Sequence, residues 1–317
     1  MTMLAFQLER VAQRNRRVIA LDAITLSQEA GRILGIVGLA GSGKTTLVRL
    51  IAGLDKPTAG LVSVLGGSPQ QATIRSQIGI ALKPQLLDPR LTCEATLVQL
   101  GRLKGFRLRA SQQMSEQLLD DLGLLAHADS RIRDLPDASC HLLCAGISLV
   151  GTPKLLLLDD ALDHLDDMGS SLLASILRNG ASQGSTVVIA SRPSEKLGNL
   201  CDDIALLHEG SLVGKSAPEV ICSSLRGLLF KYQLQGDQTQ NLSGKDCEVH
   251  FTGTCTEVLA ERDISEQMAK TRVGREMTEI DPTLEEACLW ILRNPKAIAA
   301  RSKLWKQDHA AQQPTAG

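Results

Sequence analysis

The chain has 317 residues, of which 43% are hydrophobic and 22% charged, and its formal net charge is −1. That length allows two domains, the composition is that of a globular protein with a sizeable core, and the balanced charge gives no reason to expect a nucleic-acid partner. Eight cysteines are present, none in a C-x-x-C arrangement, which favours reduced thiols in a cytosolic protein over a disulfide framework. Met1 to Arg10 acquires charge before any signal-peptide core builds up. The longest apolar runs, Ile33 to Ala40 and Leu155 to Leu158, fall far short of the roughly 18 residues a membrane span needs, so any membrane part is expected on another chain.

In chain order, a first strand is predicted over residues 3–8, a basic turn over Arg10 to Arg17, and a second strand over Val18 to Ser27. Ile33 to Val37 then leads as a strand into Gly38-Leu39-Ala40-Gly41-Ser42-Gly43-Lys44-Thr45, and Thr46 to Ala52 leads out as a helix. The eight-residue stretch fits the phosphate-loop pattern G-x-x-x-x-G-K-[ST] at every fixed position. Gly38, Gly41 and Gly43 let the backbone turn successive N–H groups inward as an anion nest, at the positive end of the following helix. Lys44 places an ammonium on the β- and γ-phosphates of a nucleotide, and the Thr45 hydroxyl is a Mg²⁺ ligand.

The helix is expected to end at Gly53, followed by a Pro-Thr-Ala-Gly turn, a short strand over Leu61 to Leu65 and another over Ser76 to Leu82. From Leu91 to about Ala128 leucines recur at helical spacing, which marks a helical insertion. Its basic piece, Arg102 to Arg109, reads as a solvated face. Lys154 to Asp160 is a buried strand ending in two carboxylates; a helix over Met168 to Asn179 and a strand over Thr186 to Ala190 complete that unit. Asp203 to Leu207 and Ser211 to Gly214 read as a hairpin. Strands and helices alternating around the phosphate loop imply an α/β fold with a largely parallel sheet covered on both faces. Beyond Pro218, strands over Leu225 to Gln233 and Cys247 to Thr252 and an amphipathic helix over Pro282 to Arg293 read as a small second α+β domain. Residues 295–317 read as a frayed tail. His127, His141, His164 and His208 show no metal spacing and read as solvent-facing or satisfied in the core.

These residues resemble the ATP-binding subunits of ABC transporters. The phosphate loop, the Ile-Ala-Gly-Leu-x-x-Pro-Thr-x-Gly run at 51–60, the Leu-Leu-Leu-Leu-Asp strand at 155–159, Leu165-Asp166 and the hairpin at 206–213 fall in family order. Residues 281–292 are similar to the close of the accessory domain in the drug-export and multidrug-type subfamily. The resemblance implies an ABC-type nucleotide-binding domain of the P-loop NTPase fold over residues 1–219, with a helical subdomain at about 91–150 and an accessory domain over 220–294. It implies ATP and Mg²⁺ as cofactors, with Gly38, Leu39, Ala40, Gly41, Ser42, Gly43, Lys44, Thr45, Thr46 and Gln85 around the nucleotide. Thr45, Asp159 and Gln85 would face the metal. It also implies separate transmembrane permease subunits as partners, a head-to-tail dimer sandwiching two ATP molecules, and a cytoplasmic position, peripheral on the membrane.

Departures from the family pattern fall on catalytic positions. Asp160 stands where the family carries the glutamate that activates water; its side chain is one methylene shorter, and a misplacement of about 1 Å can cost on the order of 10²-fold in rate. Arg192 aligns with the switch histidine and cannot shuttle a proton at neutral pH, although its charge could hold a γ-phosphate. Leu135-Pro136-Asp137-Ala138-Ser139 aligns with the Leu-Ser-Gly-Gly-Gln signature, having lost both glycines and gained a carboxylate. Either Gln85 or Lys83 occupies the position of the glutamine that links Mg²⁺ to the membrane subunit. Asn15 aligns with the aromatic that stacks on adenine. The expectation is a slow or partner-dependent ATPase, in a homo- or heterodimer with the heterodimer favoured; the alternative is a regulatory module that binds ATP and closes on a partner without turnover.

Overall fold

The computed structural model describes residues 3–15, 18–81, 84–225, 229–235, 247–251, 255–261, 278–280 and 282–294. Alternating apolar residues drive the first two strands, β1 (Leu4–Asn15) and β2 (Val18–Glu29), into an antiparallel ribbon, with Phe6, Leu8, Val11, Leu21, Ile24 and Leu26 turned inward and almost fully buried. The basic turn expected over Arg10 to Arg17 is therefore mostly strand: Arg14 pairs with Ile19 and Asn15 with Val18. The polar stretch is absorbed by register shifts between Leu8 and Arg14, where Arg10 takes a left-handed conformation (φ 47°), so the strand continues past it. The other edge of β1 pairs with β4 (Ala59–Val64), completing a three-stranded antiparallel sheet.

The larger sheet is built from β3 (Ile33–Val37), β5 (Ile78–Ile80), β6 (Leu155–Asp159), β7 (Thr186–Ser191), β8 (Asp203–His208) and β9 (Ser211–Ser216), in the order β5-β6-β7-β3-β8-β9. The pairs from β5 across to β8 are parallel, and β3 and β7 are buried at every position, as a sheet covered on both faces requires. The strand expected over Ser76 to Leu82 is shorter, because Ser76 closes a one-turn helix, α2 (Ala72–Arg75).

Helix α1 (Lys44–Ile51) lies between the two sheets, touching β2 and β4 of one and β6 and β7 of the other. Leu47, Leu50 and Ile51 are fully buried in the shared core. The helical insertion comprises α3 (Cys93–Leu103), capped by the Thr92 hydroxyl accepting from the Ala95 N–H, α4 (Leu108–Asp121) and α5 (Asp137–Leu149). Helices α6 (Asp167–Ser182), capped by Asp166, and α7 (Glu195–Leu200) follow β6 and β7.

The chain divides into two compact units, Met1–Lys215 and Ser216–Gly317. The second holds α8 (Pro218–Ser224), the strands β10 (Leu229–Gln235), β11 (Cys247–Phe251), β12 (Cys255–Glu261) and β13 (Thr278–Ile280) in the order β11-β12-β10-β13, and α9 (Leu284–Arg293). Leu225, expected to open a strand, instead ends α8, and β12 and β13 have no counterpart in the sequence reading. A reciprocal capping box between Thr283 and Glu286 starts α9, and Glu286 also accepts from the buried Lys231 ammonium at 2.9 Å. The expected tail, and Asp281 at the head of the accessory-domain motif, lie outside the described residues.

Candidate nucleotide site

The phosphate loop joins the buried strand β3 to α1. Gly38 is required for close approach: a Cβ there would lie 2.4 Å from the Leu207 carbonyl and 2.4 Å from Ser42 Oγ. Gly41 and Gly43 are required for conformation, with φ of 78° and 101°. Gly43 is the residue before α1; no side chain caps that helix and no acidic residue sits in its first turn, so its N-terminal N–H groups face the loop. Ser42 Oγ is buried with no hydrogen-bond partner among the described residues. The uncapped helix start, the orphan hydroxyl and the open space that a Cβ at Gly41 would enter fit a phosphate chain in the cradle.

The Lys44 ammonium reaches back over the loop, donating to the Gly38 carbonyl at 2.8 Å and the Leu39 carbonyl at 3.0 Å. Burial lowers its pKa; the charges of Asp160, Asp159 and Asp163 oppose that shift, and Arg192 adds to it. The Thr45 hydroxyl donates to Asp159 Oδ2 at 2.8 Å, bridging residues 114 apart in sequence. A hydroxyl and a carboxylate oxygen so close form a hard-oxygen donor set of the kind Mg²⁺ takes.

Asp160 stands beyond the end of β6 rather than within the strand, in a left-handed conformation (φ 56°) that Asp tolerates better than most side chains, and its N–H donates to the Ala190 carbonyl at 2.8 Å. Arg192 follows β7, and its Nε donates to Asp163 Oδ2 at 3.2 Å. Asp163 was absent from the sequence reading, although it lies three residues after Asp160 in the same turn. Gln85 sits in a single 3-10 turn (Pro84–Leu86) and shares with Asp159 and Asp160 a cavity of about 240 Å³. Lys83 lies outside the described residues, as does the side chain of Asn15.

His141 and His164, expected to be solvent-facing or satisfied in the core, line that cavity too, with rings stacked at 4.3 Å between centroids. Burial lowers the His141 pKa, and the neighbouring His164 lowers it further. Helix α5 opens at the aligned signature: Pro136 precedes it, and Asp137 is an exposed residue of its first turn.

This geometry defines a P-loop nucleotide-binding domain. Residues 21–163 match the family model described as ABC transporter. Among curated relatives, it is 28% identical over 208 residues to the Nod factor export ATP-binding protein I of Burkholderia lata, covering 65% of this chain and 68% of that one. It is also 28% identical over 223 residues to the daunorubicin/doxorubicin resistance ATP-binding protein DrrA of Streptomyces peucetius, covering 70% and 68%. Two solved structures share the fold: the ATP-binding subunit of an ABC transporter (TM-score 0.64, 19% identity, 70% of this chain and 93% of that one) and a bacterial ABC transporter cassette solved as a dimer (TM-score 0.63, 21% identity, 67% and 98%). Among the described residues no helix is long and apolar enough to cross a membrane.

Proposed function

We propose that this chain is the ATP-binding subunit of an ABC-type exporter, coupling MgATP binding and slow or partner-dependent hydrolysis to separate membrane-spanning subunits from a peripheral, cytoplasmic position. The observation that carries the reading is the buried Lys44 ammonium over the loop, beside the Thr45–Asp159 bridge at the uncapped start of α1. The export role rests on the names of the relatives.

In this reading Lys44 contacts the terminal phosphates, the loop N–H groups from Gly38 to Thr46 hold the phosphate chain, and Thr45, Asp159 and Gln85 face the metal. Mg²⁺, when bound, neutralises phosphate charge. Asp160 orients the attacking water and accepts its proton, with shorter reach than glutamate. The carboxylate of Asp137 in the first turn of α5 adds negative charge where a dimeric partner's γ-phosphate would dock. That supports a heterodimer with a second ATP-binding subunit whose signature loop is intact. The Arg192–Asp163 ion pair, which stands at the aligned switch position in place of an imidazole, supports a second reading as a non-hydrolysing regulatory module.

The test is a MgATP titration of the full chain and of Lys44→Ala. Removal of a charge-assisted contact is expected to abolish measurable binding; equal affinities would exclude the reading. Phosphate release, measured alone and with a second ATP-binding subunit, separates the two forms: release above background excludes the purely regulatory one.

A further inference from the structure

We propose that the turn between α3 and α4 is a lipid-docking tip, which seats directly on the headgroups of an anionic membrane surface.

Arg102 to Arg109, expected to be a solvated face, carries large apolar side chains among its cations. Leu103 is 83% exposed, Leu108 54% and Phe106 37%. Arg102, Lys104, Arg107 and Arg109 are exposed beside them, and among the described residues none of the four forms an ion pair. Three large apolar side chains facing water on one short turn leave area that a partner can remove from it.

The tip is pre-formed. Helix α3 ends in a Schellman turn: the Phe106 N–H donates to the Gly101 carbonyl and the Gly105 N–H to the Arg102 carbonyl, both at 3.0 Å, with Gly105 at φ 93°. Arg102 Nη1 braces it, donating to the Phe106 carbonyl at 2.9 Å. Small residues hold the two helices close behind the turn, since a Cβ at Gly101 would lie 2.9 Å from Ser111 Oγ. Lys104 rests its stem over Gly151, where an added Cβ would lie 3.0 Å from Lys104 Cδ. The Arg107 and Arg109 side chains make no hydrogen bond among the described residues and are free donors. Docking a turn already fixed in this way loses little ordering entropy.

Charge selects the partner. From Ala95 to Ser115 the chain has four cations and no carboxylate, although its net charge is −1. The acidic residues of the helix pair lie toward its other end: Glu94 opens α3, level with Ser115, whose hydroxyl donates to the Glu94 carbonyl at 3.4 Å, and Glu116, Asp120 and Asp121 lie in the second half of α4. At about 1.5 Å per residue, the α4 carboxylates stand about 12 Å or more along the helix from Leu108, beyond the screening length of about 8 Å at physiological ionic strength. A surface at the tip therefore meets the cations alone. Cations interleaved with apolar side chains match the boundary between headgroups and acyl chains, where guanidinium groups hold lipid phosphates and apolar groups enter below them. An acidic protein segment would match the charges but leave the three apolar side chains without a counterpart.

Flotation of the full chain with lipid vesicles, no membrane subunit present, tests this. Wild type is expected to bind vesicles of phosphatidylglycerol and phosphatidylcholine, and to bind phosphatidylcholine alone at least about tenfold more weakly. Raising the salt from about 0.1 M to about 0.5 M should release it. Arg107→Gln/Arg109→Gln is expected to weaken partitioning into the anionic vesicles at least about tenfold, and Leu103→Ser at least about threefold. Both variants should keep MgATP affinity within about twofold of wild type, as substitutions on an exposed turn that preserve the fold. Should Leu103→Ser lose cooperative melting, Leu108→Ser makes the same comparison. The inference is overturned if wild type does not float with anionic vesicles, whatever protein the tip then binds, if neutral vesicles serve as well, or if either variant partitions like wild type. Each of these failures leaves Lys44-dependent nucleotide binding, and with it the proposed function, standing.

Discussion

The three loop glycines are predicted to fail for different reasons when each is replaced by alanine. Gly41→Ala places a Cβ in open space but forces a non-glycine residue to φ 78°. That costs about 1–2 kcal/mol, partly offset by the less flexible unfolded chain, for a net of about 1 kcal/mol. Gly43→Ala incurs the same conformational cost at φ 101° and sets its Cβ 2.6 Å from the Ala20 carbonyl and 2.7 Å from Leu21 Cδ2. The carbonyl belongs to a paired strand and cannot rotate away, so overpacking adds about 1–3 kcal/mol, for a net total of about 2–4 kcal/mol. Gly38→Ala carries no left-handed penalty, but its Cβ would lie 2.4 Å from the Leu207 carbonyl, so only the overpacking cost applies. At about 2–4 °C per kcal/mol for a domain of this size, Gly41→Ala should lower the melting temperature by about 2–4 °C and Gly43→Ala by about 4 °C or more. Differential scanning calorimetry of the first unit's transition in the full chain, paired with MgATP titration, reads both stability and binding. Gly43→Ala melting at or above Gly41→Ala would refute the steric reasoning.

Other expectations are independent of that one. With no aromatic platform at Asn15, ATP and GTP should compete within about tenfold of each other, or 1.4 kcal/mol; a strong ATP preference in a competition assay would show that another residue holds the base. Asp160→Glu should lengthen the reach to water but strain the left-handed position by about 1 kcal/mol. Measured with a partner carrying an intact signature loop, Asp160→Glu/Arg192→His should exceed the product of the single gains in turnover. Wild type turning over ATP alone at about 1 s⁻¹ or faster would show that these positions are not impaired. Because the folded state holds the His141 pKa below its ordinary 6.5, the unfolded chain binds the extra proton more readily. Stability should thus be intact above about pH 6.5 and fall as the pH drops below it. An NMR titration placing the His141 midpoint at or above 6.5 would contradict this, and His141→Gln should flatten the melting-temperature profile between pH 7 and 5.5.

The phosphate loop was legible in the sequence because its function is local. Eight contiguous residues from Gly38 to Thr45 carry both the conformational demand and the chemistry, and the apolar runs on either side declare the strand and helix that hold them. The four-leucine run ending at Asp159 was legible for a similar reason, since burial on both faces suppresses alternation. Pattern was weaker where polarity misled it: Arg10 to Arg17 read as a turn, yet register shifts let the ribbon continue through Asn15 with polar residues at its exposed end. Nothing local announces that Thr45 meets Asp159, that Asp163 takes both Ser191 and Arg192, or that His141 and His164 stack. Those contacts join segments separated along the chain, and the first two exist because β6, β7 and β3 are adjacent in the parallel sheet and end at the same edge. Sequence by itself determined the conformation of the loop, through φ and the size of single residues. Tertiary structure alone decided which charges stand around it, because a parallel sheet brings the ends of distant strands side by side.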